Sequence, residues 1–476
     1  MDYAGNLNDL DNHLDVNLTK EYGFTTSIGG LGTLERKTQV THLEYDTTIP
    51  QATRDAYDDA NIVSLPSKTY VKNAAGTVIA KSEIAYDESG YSPATKGNAT
   101  RARSWLDTNN SWLETRAKYD SYGNVYQTVD AKGNVTQTQF SATYSYAYPT
   151  AVITAVPDPS GANGSNVAFT SSTVYDLTTG LPTSTTDANG QTTSMEYNDP
   201  FLRPTRVVPP SGGAITETYY GAGASAATRW VRVRTQIDST KWKEAYSYFD
   251  GLGRTVKTQS NDSNGNIFVD TEYDSAGRVK RATNPYRSGE PIYWTTNTYD
   301  VAGRVTQVTT PDGANVYTAY GVANGGSHLG AFTEVTDQAG KKRRSITNAL
   351  GNLVRVDEPN AAGNLGSPLS PVQPTIYGYD VINNLVSVNQ GVQTRTFQYD
   401  SLSRLKTANN PESGAINYGY DQNGNLVAKT DARGISTSYV YDNLNRVKSR
   451  SYSDGTPAVS YKYDNVTYAK GLLIEV

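Results

Sequence analysis

Apolar and polar positions alternate along most of the chain in short runs, about five or six residues long and rich in Thr, Val and Tyr, which is the period of half-buried strands. The stretch "YDQNGNLVAKTDARGISTSYVYDNLNRV" (420–447) shows the unit. A Tyr-Asp pair, a tight-turn sequence and a short hydrophobic residue lead into an alternating run, and a second turn, "TDARG", precedes the next Tyr-Asp. Each unit therefore predicts two strands and two turns. No capped amphipathic helix is predicted, and 20 prolines in turn-like contexts argue further against helices. The expected fold class is all-β, with antiparallel hairpin repeats joined in one continuous sheet.

The Tyr-Asp phrase sets the repeat. Tyr379-Asp380, Tyr399-Asp400, Tyr420-Asp421, Tyr441-Asp442 and Tyr463-Asp464 follow one another at 20, 21, 21 and 22 residues. Upstream it recurs with wider spacing at Tyr119-Asp120, Tyr175-Asp176, Tyr273-Asp274 and Tyr299-Asp300, with Phe249-Asp250 as a variant. Decayed copies stand at "YDESG" (86–90), "YNDPFLRP" (197–204) and "TNALGNL" (347–353). In "YDSAGRV" (273–279) the Asp carboxylate is placed to accept backbone N–H groups two or three residues on, and Gly277 supplies the positive φ that closes a short hairpin loop. Gly123, Gly253, Gly303 and Gly424 hold the equivalent place, and Asn383 and Asn445 replace it, since Asn tolerates the left-handed region. Ser403 departs from the pattern and predicts another turn geometry. A second class of turn, "NNPESG" (409–414), "TDARG" (430–434), "SDGT" (453–456) and "TPDG" (310–313), divides each repeat. Aromatic pairs such as Tyr418 and Tyr420, or Tyr439 and Tyr441, share one strand face and would recur roughly every 10 Å across the sheet.

Composition narrows the function. The chain has 476 residues, no cysteine, three histidines far apart (His13, His42, His328) and a net charge of −5 from interspersed charges. Disulfides and thiolate zinc sites are excluded, and neither a nucleic-acid surface nor a histidine-rich metal site is expected. No run approaches 18 apolar residues, so no membrane insertion is predicted. With 36 Tyr and few aliphatic core residues, tyrosine must supply burial that Leu, Ile and Phe normally give.

Tyr-Asp-x-x-Gly-(Arg/Asn)-(Leu/Val) in many copies resembles the YD-repeat proteins: bacterial Rhs and wall-associated proteins, the C components of insecticidal toxin complexes, and animal teneurins. The matches are clearest at 119–125, 273–279, 299–305, 399–405, 420–426 and 441–447. The resemblance covers 116–476 as a regular sheet with an incomplete last repeat, and 1–115 as degenerate repeats of the same kind. It implies a β-sheet spiralling into a hollow shell, secreted or at the cell surface, which in toxin relatives encloses a C-terminal effector. No plugging core segment with an aspartyl self-cleavage site is found. "DPSG" (158–161) is similar to part of one but sits mid-chain without the expected flanks, so it is read as a loop. Both ends look internal, and the expectation is that their exposed sheet edges continue into a longer polypeptide or pair with another copy of the chain. The expected role is structural and non-enzymatic, without cofactor or metal. The alternative is a surface adhesin or carbohydrate-binding wall module.

Sharper readings find little support in the residues. A carboxylate repeated in every turn is a structural cap before it is a catalytic acid. "DSNGN" (262–266) lacks the Gly and Glu of a calcium loop, and "IGGLG" (28–32) and "GAGA" (221–224) lack the Lys-Ser/Thr of a phosphate loop. Trp105, Trp112, Trp230, Trp242 and Trp294 are expected to pack before they stack on sugars. "KKRR" (341–344) reads as a solvated hairpin, and Asn17-Leu18-Thr19 and Asn134-Val135-Thr136 as chance glycosylation matches.

Overall fold

The computed structural model describes residues 18–22, 34–210, 213–223, 225, 229–323 and 330–476. Among them, thirty-four strands form one sheet. From Leu18–Tyr22 to Val459–Ser460 each strand pairs antiparallel with the next in sequence, so the sheet is a single meander. Two small hairpins stand apart, Gly366–Ser367 with Ser370–Pro371 and Lys462–Tyr463 with Leu473–Glu475.

One helix interrupts the pattern, Gln51–Asp59, where none was predicted. It has no side-chain N-cap, which is why the sequence carried no start signal. It is held from outside: Tyr57 is its buried residue, and the Tyr57 hydroxyl donates to Asp87 at 2.6 Å.

A strict meander sends successive turns to opposite long edges of the ribbon. Every Tyr-Asp turn, and every decayed copy, falls on one edge; the second class of turn falls on the other. Most strands entering a Tyr-Asp turn shift register at the tyrosine or its Phe249 variant, as at Lys118/Tyr119, Tyr248/Phe249, Glu272/Tyr273 and Val440/Tyr441. Bulges at these corners concentrate local twist along the Tyr-Asp edge, with shifts at Glu21/Tyr22 and Val71/Lys72 on the other, and a ribbon twisted harder along one edge curls.

The curl brings the ribbon back onto itself. Pairs far apart in sequence bond in ascending order: Asp107 with Ser401, Lys132 with Asn423, Pro157 with Asn443, Asn163 with Tyr463 and Asn189 with Lys470. Partners lie about 23 strands apart, so the sheet is a spiral of roughly one and a half windings. It remains a single layer. Its accessible surface is 26228 Å², whereas a compact protein of this mass would expose about 17,000 Å².

Candidate functional site

The Tyr-Asp corner is built from its own side chains. In the turn after Tyr273, the Gly277 N–H donates to the Asp274 carbonyl at 3.0 Å, and Gly277 sits at φ 82°. Asp274 Oδ1 accepts the N–H of Ala276 and of Arg278 at 3.0 and 2.9 Å. Its other oxygen accepts Arg278 Nε at 2.8 Å. The Arg278 guanidinium then lies 4.3 Å over the ring of Tyr299 in the next repeat, and the Tyr299 hydroxyl donates back to the carbonyl of Val279. Carboxylate, guanidinium and phenol thus lock one repeat to its successor.

The same linkage joins Asp250, Arg254 and Tyr273; Asp400, Arg404 and Tyr420; and Asp442, Arg446 and Tyr463. In a fifth set Asp300 holds Arg304, whose aromatic partner is Tyr320 at 4.2 Å. Where Asn follows the glycine, as at Asn124 and Asn425, its amide replaces the guanidinium on Asp120 and Asp421. The Tyr119, Tyr420, Tyr441 and Tyr463 hydroxyls donate to the carbonyls of Ala99, Leu405, Leu426 and Val447. Burial pushes the phenols of Tyr379, Tyr399, Tyr420, Tyr441 and Tyr463 up, which keeps them protonated donors. Sequence reasoning assigned no role to the arginine four residues after the aspartate. Its signal was the Asp-to-Arg spacing itself.

Ser403 corrects an expectation. It has φ 62°, beside 66° for Asn383 and 62° for Asn445, so its turn takes the common geometry at a strain cost. Asp176 closes a longer loop with Gly180 at φ 71°, its carboxylate held by Thr178 and Thr179. Asp464 has left the corner role. It binds Arg446 at 2.7 Å, the Ser165 N–H at 3.0 Å and the Gly471 N–H at 2.9 Å.

Asp464 belongs to the seam, where Tyr-Asp turns of the second winding rest on second-class turns of the first. Ser401 donates its N–H to Asp107 at 2.8 Å and its hydroxyl to the Trp105 carbonyl. Asn423 accepts the Lys132 N–H at 3.1 Å and donates to Asp130 at 2.6 Å, while Lys132 Nζ reaches Asp421 at 3.2 Å. "DPSG" is a loop, and it lies in this seam. Asp158, almost fully buried, takes Lys448 Nζ at 2.9 Å. Burial alone would raise its pKa, but the Asn163 N–H, Lys448 and the Ser160 hydroxyl pull it down to about 2. Hydrogen bonds likewise outweigh burial at Asp130, Asp421 and Asp464, which also stay below the ordinary carboxylate range. Leu402 lines a shared cavity at the seam with Ala102, Leu113 and Ala131 of the first winding.

Other candidates separate. The five tryptophans are all at least half-covered. Lys81 lies over Trp105 and Trp112, Arg234 over Trp242, Arg281 over Trp294, and Tyr246 meets Trp230 edge-on. Asp262 and Gly265 close an ordinary hairpin, with Asp262 on Arg287. Among the described residues no three His, Cys, Asp or Glu are grouped to hold a metal ion. His13, His328, Asn17 and "IGGLG" lie outside the described residues. "KKRR" is only partly solvated. Alternation turns Arg344 inward, where it and Arg355 share the fully buried Asp357 at 3.1 and 2.8 Å.

A single antiparallel ribbon with one turn chemistry per edge, wound so that one edge seats on the other, defines a structural repeat protein. The RHS repeat model matches residues 175–214 and 420–457, and a domain of unknown function matches 225–334. The chain therefore carries RHS repeats of the Tyr-Asp type at 175–214 and 420–457. Its fold is that of the crystal structures of TcdB2-TccC3-TEV (TM-score 0.66, 12% identity, 96% of this chain and 34% of that one) and TcdB2-TccC3 (0.63, 13%, 94% and 31%). TcdB2-TccC3 without its hypervariable C-terminal region matches equally (0.64, 13%, 94% and 33%). The chain thus spans about a third of the length of the proteins it resembles. No curated protein matches it.

Proposed function

We propose that this chain is a wall segment of a hollow, non-enzymatic shell that encloses a polypeptide and acts outside the producing cell. The closing of one winding over about 23 strands carries the reading. At roughly 4.8 Å per strand, the circumference is ~110 Å and the backbones face one another across ~35 Å, leaving ~25 Å once side chains are counted. Such a lumen suits an extended or partly folded chain. A folded domain of about 100 residues, with a radius of gyration near 13 Å, is too wide for it. The division into a degenerate segment (1–115) and a regular one (116–476) belongs to the same proposal, the degenerate corners being those that carry the helix and long insertions.

A protease-protection experiment tests this. A short unstructured segment fused after Val476 should resist digestion while the same segment alone is cut at once. Digestion of the fused segment at the free rate would refute enclosure.

A further inference from the structure

The two edges of the ribbon are complementary, and each is covered only where the windings overlap. Along the second winding the apolar residues one or two places after the turn aspartate, Val381, Ile382, Leu402 and Leu444, are half-buried, in turns that bond to the first winding through Val381, Ser401 and Asn443. Among the described residues no ribbon lies against the first winding's own Tyr-Asp edge. There the corresponding Tyr122, Leu177, Phe201 and Leu252 are 65–79% exposed, and Val301 is wholly so. Tyr122 is also stacked on Tyr146 at 4.7 Å, and Tyr144, Tyr148 and Tyr175 form a second ring cluster nearby. Tyr146 holds φ 57°, a strained conformation for a bulky residue, to present this rim.

The opposite rim of the second winding is equally free. It carries Asp337–Gly340 and Asp431–Gly434, turns of the same Asp-x-x-Gly type as Asp130–Gly133 and Asp187–Gly190, which the seam uses. One chain therefore bears an unfilled copy of each half of its own seam.

We propose that the partner of the exposed Tyr-Asp rim is a second copy of this chain, seated head to tail so that it continues the same spiral. Such a contact is heterologous and propagates. Continuing the winding at about 23 strands per turn fixes the register: Leu252 of one copy meets the turn between Gln390 and Gln393 of the next, whose Val392 is wholly exposed. Tyr122 meets the turn between Asp262 and Gly265. The proposal is independent of whether the wall holds a cargo.

Sedimentation over a roughly hundredfold concentration range tests it. The weight-average mass should at least double, and Leu252→Asp with Val301→Asp should return it to one chain without moving the thermal midpoint, because both residues are exposed. The chain has no cysteine, so a pair can be introduced cleanly. Leu252→Cys with Val392→Cys in one chain should oxidise to a ladder of covalent multimers, whereas either change alone stops at dimers. A chain that stays single throughout, or a double-cysteine variant that forms no ladder, overturns the proposal.

Discussion

A single corner residue shows what the repeat demands of its chemistry. Ser403 adopts a left-handed backbone that glycine takes without cost, so Ser403→Gly should stabilise the chain by about 1 kcal/mol, less the extra freedom glycine gives the unfolded state. The urea midpoint measures it, and a fall would mean that the serine is doing more than turning the chain. Tyr441→Phe removes the hydroxyl that reaches the Leu426 carbonyl and nothing else, for an expected loss of about 1 kcal/mol in the same measurement. Asp357 is a different case, because Arg344 and Arg355 are buried with it. Asp357→Ala leaves two guanidinium groups without their shared anion, and a loss of about 3–5 kcal/mol is expected.

At the level of turns and strands, local and non-local bonds separate cleanly. Asn423→Leu deletes the seam bonds to Lys132 and Asp130 but leaves the Asp421 carboxylate on the Asn425 N–H. Amide exchange should therefore quicken at 130–134 and 420–426 while the corner 273–279, which has no such partner, keeps its rate; equal change at both would deny a seam. The same division explains what the sequence could show. Hairpin corners were legible because Asp, Gly and the strand alternation act within a few residues, as at Asp274 and Gly277. The single sheet followed from their regular spacing. The Asp130–Asn423 and Asp158–Lys448 contacts were not legible, since they depend on how far the ribbon curls, a sum of many small twists that no local pattern states. The helix Gln51–Asp59 escaped for a related reason: its anchor, Tyr57 on Asp87, is a tertiary contact. Arg344 was misread because a basic run looks solvated until alternation and a later strand place a carboxylate beneath it.

For the molecule as a whole, the seam turns a one-dimensional stack into a closed object. In an open ribbon each repeat would answer only to its neighbours, whereas bonds about 23 strands apart make distant repeats depend on one another. Those bonds run through carboxylates whose pKa lies below the ordinary range, Asp158 at about 2 and Asp130, Asp421 and Asp464 also lowered. A carboxylate of this kind contributes its full stability above the unfolded value of about 3.9 and loses it as pH falls toward the folded one. The seam should hold through mildly acidic pH and open only between about pH 4 and pH 2. Small-angle scattering on dilute protein should give a constant radius of gyration from neutral pH to about pH 4.5, then a rise as the windings part. If expansion begins near pH 6 instead, histidine or another group governs closure and the carboxylate seam is not what holds the spiral shut.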